Sequence, residues 1–170
     1  MNDARTMIVH QPASRALRFG LPSLATLAPD RVAAGLAPHL DDGYHYLPRV
    51  ALGGERLEAV VVGVGGTWTV STAHEAGRYR KRNGHWYRWN RSTESWVPWG
   101  AEPVTAARMA GHRLELHLDR AALPSAVEAV LLITPDMEIA WEAPERPGVH
   151  VHEDVARLAA RITRDEVLTP

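Results

Sequence analysis

The clearest pattern in the chain begins at Tyr44. Tyr44, Tyr46, Val50 and Leu52 alternate with His45, Arg49 and Ala51, the two-residue period of a half-buried strand. Gly53-Gly54 marks a turn, Leu57–Val62 is an apolar run rich in β-branched residues, Gly65-Gly66 marks a second turn, and Thr67–Thr72 is β-rich again. These segments predict a three-stranded meander. Ahead of it, Val32, Leu36 and Leu40 recur every four positions and predict a helix, with Pro29 in its first turn and Pro38 kinking or ending it. Beyond the meander, Trp86, Trp89, Trp96 and Trp99 flank the polar turn Asn90–Thr93 of a small hairpin. Val104, Ala107, Gly111, Leu114 and Leu118 then share one face of a second helix. Val127–Ile133 reads as a buried strand between Pro124 and Pro135, and Val149–Val151 as a short last strand. Val155, Leu158, Ala159 and Ile162 give a final helix, with Arg157, Arg161 and Arg164 placed as its dipole favours. Residues 1–20 lack a clean period and read as a flexible N-terminal arm before a single domain over 21–170. The fold class is α/β: a mixed β-sheet with helices on its faces and a small Trp-rich hairpin.

Composition narrows the chemistry. A chain of 170 residues, 45% hydrophobic, is long enough to bury a core. No apolar run approaches the roughly 18 residues needed to span a bilayer, and Met1–Gly20 lacks the layout of a signal peptide. A soluble, cytoplasmic protein with no membrane partner is expected. The absence of cysteine excludes disulfides, thiolate metal sites and a cysteine nucleophile. Of 19 Lys+Arg, only Lys81 is a lysine, so any mechanism needing a lysine has one candidate.

Charge is concentrated rather than abundant. The net charge is −1, yet residues 78–91 hold Arg78, Arg80, Lys81, Arg82, Arg88 and Arg91 and no acid. Tyr79, Trp86, Tyr87 and Trp89 are interleaved with them. Guanidinium groups grip phosphates and aromatic rings stack on bases, so Trp86, Trp89 and the six cations are candidate nucleic-acid contacts. Hairpin aromatics also pack onto sheets, which is the plainer role for the same residues. His150 and His152, two apart on a strand, share a face that suits a metal, but histidines before a helix commonly serve as surface or capping residues.

The meander is also a place for chemistry. With Gly65-Gly66 at the turn centre, Glu58 faces Ala73 and Val60 faces Ser71, while Ser71, Ala73 and Glu75 share one face of their strand. The stretch from Leu57 to Ala73 resembles the core of nuclease-related (NERD) domains, members of the PD-(D/E)XK nuclease superfamily. Their pattern is an Asp opening one strand, glycine at the turn, and Glu-x-Lys closing the next strand. Gly77 just past the strand, the tryptophan-bearing hairpin and Pro103 opening the following helix extend the likeness over roughly residues 30–134. The resemblance implies a restriction-endonuclease-like core of order α-β-β-β-α-β.

It also implies a degenerate catalytic motif. The family's Asp falls on Glu58, its Glu on Ser71 and its Lys on Ala73, and a glutamine that often follows the helix-opening proline is Ala106. Such a site needs acidic oxygens to hold Mg²⁺ at the scissile phosphate and a lysine to orient water. Losing one transition-state donor costs about two to three decades of rate. Glu75 and Asp30 are candidate compensating acids, and Glu58 with Glu75 the best metal ligands on offer. Arg78 and Arg80 supply charge but stay protonated and shuttle protons poorly. The expected function is a nuclease-like domain without catalysis and without a cofactor, binding DNA or RNA through the basic aromatic segment. A protein-interaction scaffold on the same fold and a Mg-dependent nuclease with a migrated site remain the alternatives.

Overall fold

The computed structural model describes residues 6–10, 30–133, 136–141 and 149–164. Pro29, most of residues 1–20 and the chain after Arg164 lie outside the described residues. A short strand β1 (Ile8–Val9) precedes helix α1 (Arg31–Leu36). The meander follows as β2 (His45–Pro48), β3 (Ala51–Leu52), β4 (Glu55–Arg56), β5 (Ala59–Gly63) and β6 (Gly66–Ala73). A second group, β7 (Gly77–Arg82), β8 (His85–Asn90) and β9 (Ser95–Pro98), leads into helix α2 (Glu102–Arg120). Strands β10 (Val127–Ile133), β11 (Met137–Trp141) and β12 (His150–His152) and helix α3 (Val155–Arg164) complete the described chain.

The main sheet has the order β1-β2-β5-β6-β10-β12. Strands β2, β5 and β6 are antiparallel neighbours, as the periodicity predicts, and β10 lies parallel to β6. A parallel neighbour requires a crossover, and α2 supplies it on one face of the sheet. Alternation divides the strands accordingly. Ala59, Val61, Trp68, Val70, Val130 and Leu132 face α1 and α3. On the opposite face, Val60 packs with Ala110 and Leu114 of α2, and Ala129 and Leu131 with its Ala107. Gly111 lets α2 approach the sheet closely, since a Cβ there would lie 3.0 Å from that of Ala129.

Two turns settle the meander's register. Gly53 and Gly54 both have positive φ, the requirement of a tight two-residue hairpin turn. The hairpin they close is one ladder interrupted at Arg49, a non-glycine residue with φ of 53°. Across the break, Arg49 N–H donates to Glu58 O at 2.7 Å and Leu57 N–H to Val50 O at 2.8 Å. The second turn is centred on Val64-Gly65, because Gly63 pairs with Gly66. The expected Gly65-Gly66 centre is therefore corrected by a register shift of two. Gly63 serves packing: a Cβ there would lie 2.1 Å from the ring of Tyr44, which is buried.

Two further features depart from the sequence reading. Within the stretch read as a flexible arm, β1 pairs in parallel with β2, and Met7 N–H donates to Leu40 O at 2.9 Å. The Trp-rich hairpin is larger than expected: β7, β8 and β9, inserted between β6 and α2, are joined by β11 from beyond β10 in a four-stranded sheet of order β11-β7-β8-β9. Strand β11 lies parallel to β7, a non-local pairing that no local period announces. Among the described residues, no helix is long and apolar enough to cross a membrane.

Candidate functional site

The motif positions stand where β6 outruns β5. The ladder's last pair is Ala59 with Val70, so the register carries Glu58 opposite Ser71 rather than Ala73. Strand β6 continues to Ala73 without a β5 partner, and its edge needs an acceptor. Glu58 provides one: Oε2 accepts Thr72 N–H at 2.8 Å and Oε1 accepts Thr72 Oγ1–H at 2.5 Å. Thr72 Oγ1 in turn lies 3.1 Å from His74 Nε2. Neither Thr72 nor His74 falls on the motif spacing, yet both lie on the strand parity opposite Ser71 and Ala73. Glu58, on the facing strand end, is the signal that finds them.

The expected lysine position has no access to chemistry. Ala73 is 3% exposed, clustered with Tyr79, Ala107, Leu131, Ile133 and Met137. Ser71 is half-buried and neutral. The candidate compensating acids are committed elsewhere. Asp30 caps α1, its Oδ1 accepting Val32 N–H and Ala33 N–H at 3.1 Å each, and its Oδ2 accepting Tyr46 O–H at 2.8 Å. Burial, the bond to Asp30 and the charges of Asp30 and Glu58 hold the Tyr46 hydroxyl far above its ordinary titration range. Glu75 accepts a long 3.4 Å bond from Tyr79 O–H. Burial and the Glu75 carboxylate raise the Tyr79 pKa, while Arg88 opposes them.

Asp30 and Glu58 thus act on one tyrosine, and Glu75 on another. Among the described residues, no three His, Asp or Glu side chains form a group able to hold a metal ion. The motif's donor set does not fit Mg²⁺, which takes several hard oxygens in near-octahedral geometry. Here it offers one carboxylate bonded to Thr72, one hydroxyl and one methyl group.

Glu75, Tyr79, Arg88, Trp99 and Glu102 line an open cleft of about 610 Å³ beside this region. The Glu102 carboxylate lies against Gly100, where a Cβ would come within 2.5 Å of it.

The basic segment is divided by strand alternation. Tyr79 and Met137 are buried against the main domain, so odd positions of β7 and even positions of β8 face inward. That set includes Lys81, Trp86 and Arg88. Trp86 packs edge-on to Trp99 at 5.7 Å, and Trp99 lies 4.3 Å from Tyr79, measured between ring centroids. Trp86 is a packing residue here, Arg88 lines the cleft, and Arg91 lies in the turn between β8 and β9. The eight candidate contacts are thus divided between the two faces of this sheet and the β8–β9 turn.

The outward set is Arg78, Arg80 and Arg82 on β7, with Arg80 and Arg82 in register with Tyr87 and His85 on β8 and Trp89 on the same face. Trp96, on β9, pairs with Trp89. The Arg80 guanidinium lies 4.3 Å from the ring centroid of Trp96 and 5.6 Å from that of Tyr87. Arg78 lies 5.8 Å from the Trp89 centroid. Trp96 stands outside residues 78–91 in sequence, and only the β8–β9 register brings it to this face.

On the far edge of the main sheet, His150 and His152 share a face, as their spacing predicts. Arg161 donates to both carboxylate oxygens of Glu128 and to His150 Nε2 at 3.1 Å. His152 Nε2 is buried without a hydrogen-bond partner in the structure. Burial, followed by the charges of His150 and Arg161, lowers its pKa. No family model, curated protein or solved structure matches this chain.

Proposed function

We propose that this chain is a nuclease-like domain of the nuclease-related type, without a working hydrolytic site, that binds nucleic acid on the outer face of the β7–β8–β9 sheet. The observation that carries this reading is that face. Three arginines alternate along one strand, and two of them, Arg78 and Arg80, lie over aromatic rings of the next two strands. Among the described residues in register on this face, Glu138 is the one carboxylate, 3.6 Å from Arg78 in a highly exposed pair. Such a pair contributes little and yields readily to a phosphate.

The order α1, β2, β5, β6, α2, β10, with β10 parallel to β6, supports a restriction-endonuclease-like core. The loss of hydrolysis is supported by Ala73 inside an apolar cluster and by the hydrogen bonds that engage Asp30, Glu58 and Glu75.

The test is the binding of a fluorescein-labelled oligonucleotide as salt is raised. Log affinity falls linearly with log salt, and Arg80→Ala/Arg82→Ala weakens binding by about tenfold at ~0.1 M salt. Unchanged anisotropy with both DNA and RNA at low salt ends the reading. A single protein partner captured in a nuclease-insensitive manner would then favour the scaffold role. The oligonucleotide stays intact with Mg²⁺ or Mn²⁺; cleavage abolished by Glu58→Ala would instead establish a migrated hydrolytic site.

A further inference from the structure

The outer face says more than that it is basic. Along β7, Arg78, Arg80 and Arg82 project on one side at intervals of about 6.8 Å, twice the rise per strand residue. That is close to the spacing of neighbouring phosphates along an extended single strand. The rings of Tyr87, Trp89 and Trp96 stand beside this row, all half-buried, with Trp89 and Trp96 edge to face at 5.3 Å between centroids. The Arg80 guanidinium carbon lies over Trp96, 4.3 Å from the ring centroid, and its Nε is buried without a hydrogen-bond partner in the structure. This places a planar cation among the aromatic rings of the face.

From these features we infer that the ligand of this face is single-stranded nucleic acid, its phosphates tracking the β7 arginines and its bases stacking on the β8–β9 rings. The inference rests on the nucleic-acid reading above. The discrimination comes from the aromatic half of the surface. In a duplex the base faces are hidden within the stack, so rings on a flat sheet meet only the sugar-phosphate backbone. An unpaired strand turns its bases out, and aromatic side chains and guanidinium planes can stack on them. Duplex binding would then rest on the arginines alone.

Anisotropy titrations with labelled 12-nucleotide DNA, the matching RNA and the blunt DNA duplex test this. Either or both single strands bind about tenfold or more tightly than the duplex at ~0.1 M salt, as one stacked base suffices to produce. Trp89→Leu removes most of that preference while leaving duplex affinity within about twofold, and Arg82→Ala weakens single strand and duplex alike. As a measurement that needs no variant, the unsubstituted protein's tryptophan fluorescence is quenched by single strand and much less by duplex. Duplex binding as tight as single-strand binding, with equal quenching, overturns the inference and leaves the nucleic-acid reading standing. Failure of all three ligands to bind overturns both.

Discussion

At the scale of single residues, Ala73 decides what chemistry the strand end can support. A lysine restored there enters an apolar cluster and leaves a buried, unpaired ammonium. Ser71→Glu/Ala73→Lys is expected to lose about 3 kcal/mol or more of stability and to show no cleavage with Mg²⁺, measured by thermal melts and a gel assay. Cleavage by the double variant would show that the site was only missing its side chains. Tyr46 offers a second measurement. Its folded pKa is raised above the unfolded value of 10.0, so the folded state holds its proton where the unfolded state loses it. Stability is therefore fully present below about pH 10 and declines as the pH rises beyond it. Tyr46→Phe costs about 1 kcal/mol at neutral pH through removal of the bond to Asp30 and flattens the alkaline decline; Tyr79, shifted in the same direction, leaves part of it. The spacing of Glu58, Ser71 and Ala73 was legible in the sequence. The capture of Thr72 by Glu58 was not, because the bond follows from a strand end and lies off the motif's parity.

At the scale of elements, local period found what it can find. Strand β10 runs over the residues expected, and α2 buries Ala107, Gly111 and Leu114 as its face predicts. The meander's second turn was displaced because Gly63 looks like strand sequence yet is glycine for the Tyr44 ring. Gly63→Ala is accordingly expected to destabilise by about 2–3 kcal/mol in chemical denaturation, by overpacking against a buried ring. The edge formed by β12 and α3 carries a pH signature. The His152 pKa is lowered below its ordinary 6.5, so stability falls as pH drops below about 6.5, where the unfolded state takes up the proton first. His152→Gln should flatten that acid limb in melts from pH 7 to 5. An unchanged limb would assign it to other groups.

At the scale of the whole molecule, the α/β class, the meander and its helices follow from periodicity, because each strand and helix buries one face. The second sheet was less legible. Residues 78–82 read as a charge run, and their alternation has meaning only once β8 and β11 lie alongside. The same assembly turns one basic segment into two surfaces, with Arg78, Arg80 and Arg82 on the outer face and Lys81 and Arg88 on the face towards the main domain, where Arg88 is exposed at the open cleft. Binding should follow the surface and not the charge count. The most direct test compares two variants of equal charge, Arg80→Ala/Arg82→Ala and Lys81→Ala/Arg88→Ala, in single-strand titrations over a range of salt. The outer pair is expected to reduce the log–log salt slope by about 1.4, at roughly 0.7 for each phosphate left unneutralised, and to weaken binding, while the inner pair leaves both nearly unchanged. Equal weakening by both pairs, or weakening confined to the inner pair, would contradict a binding surface on the outer face.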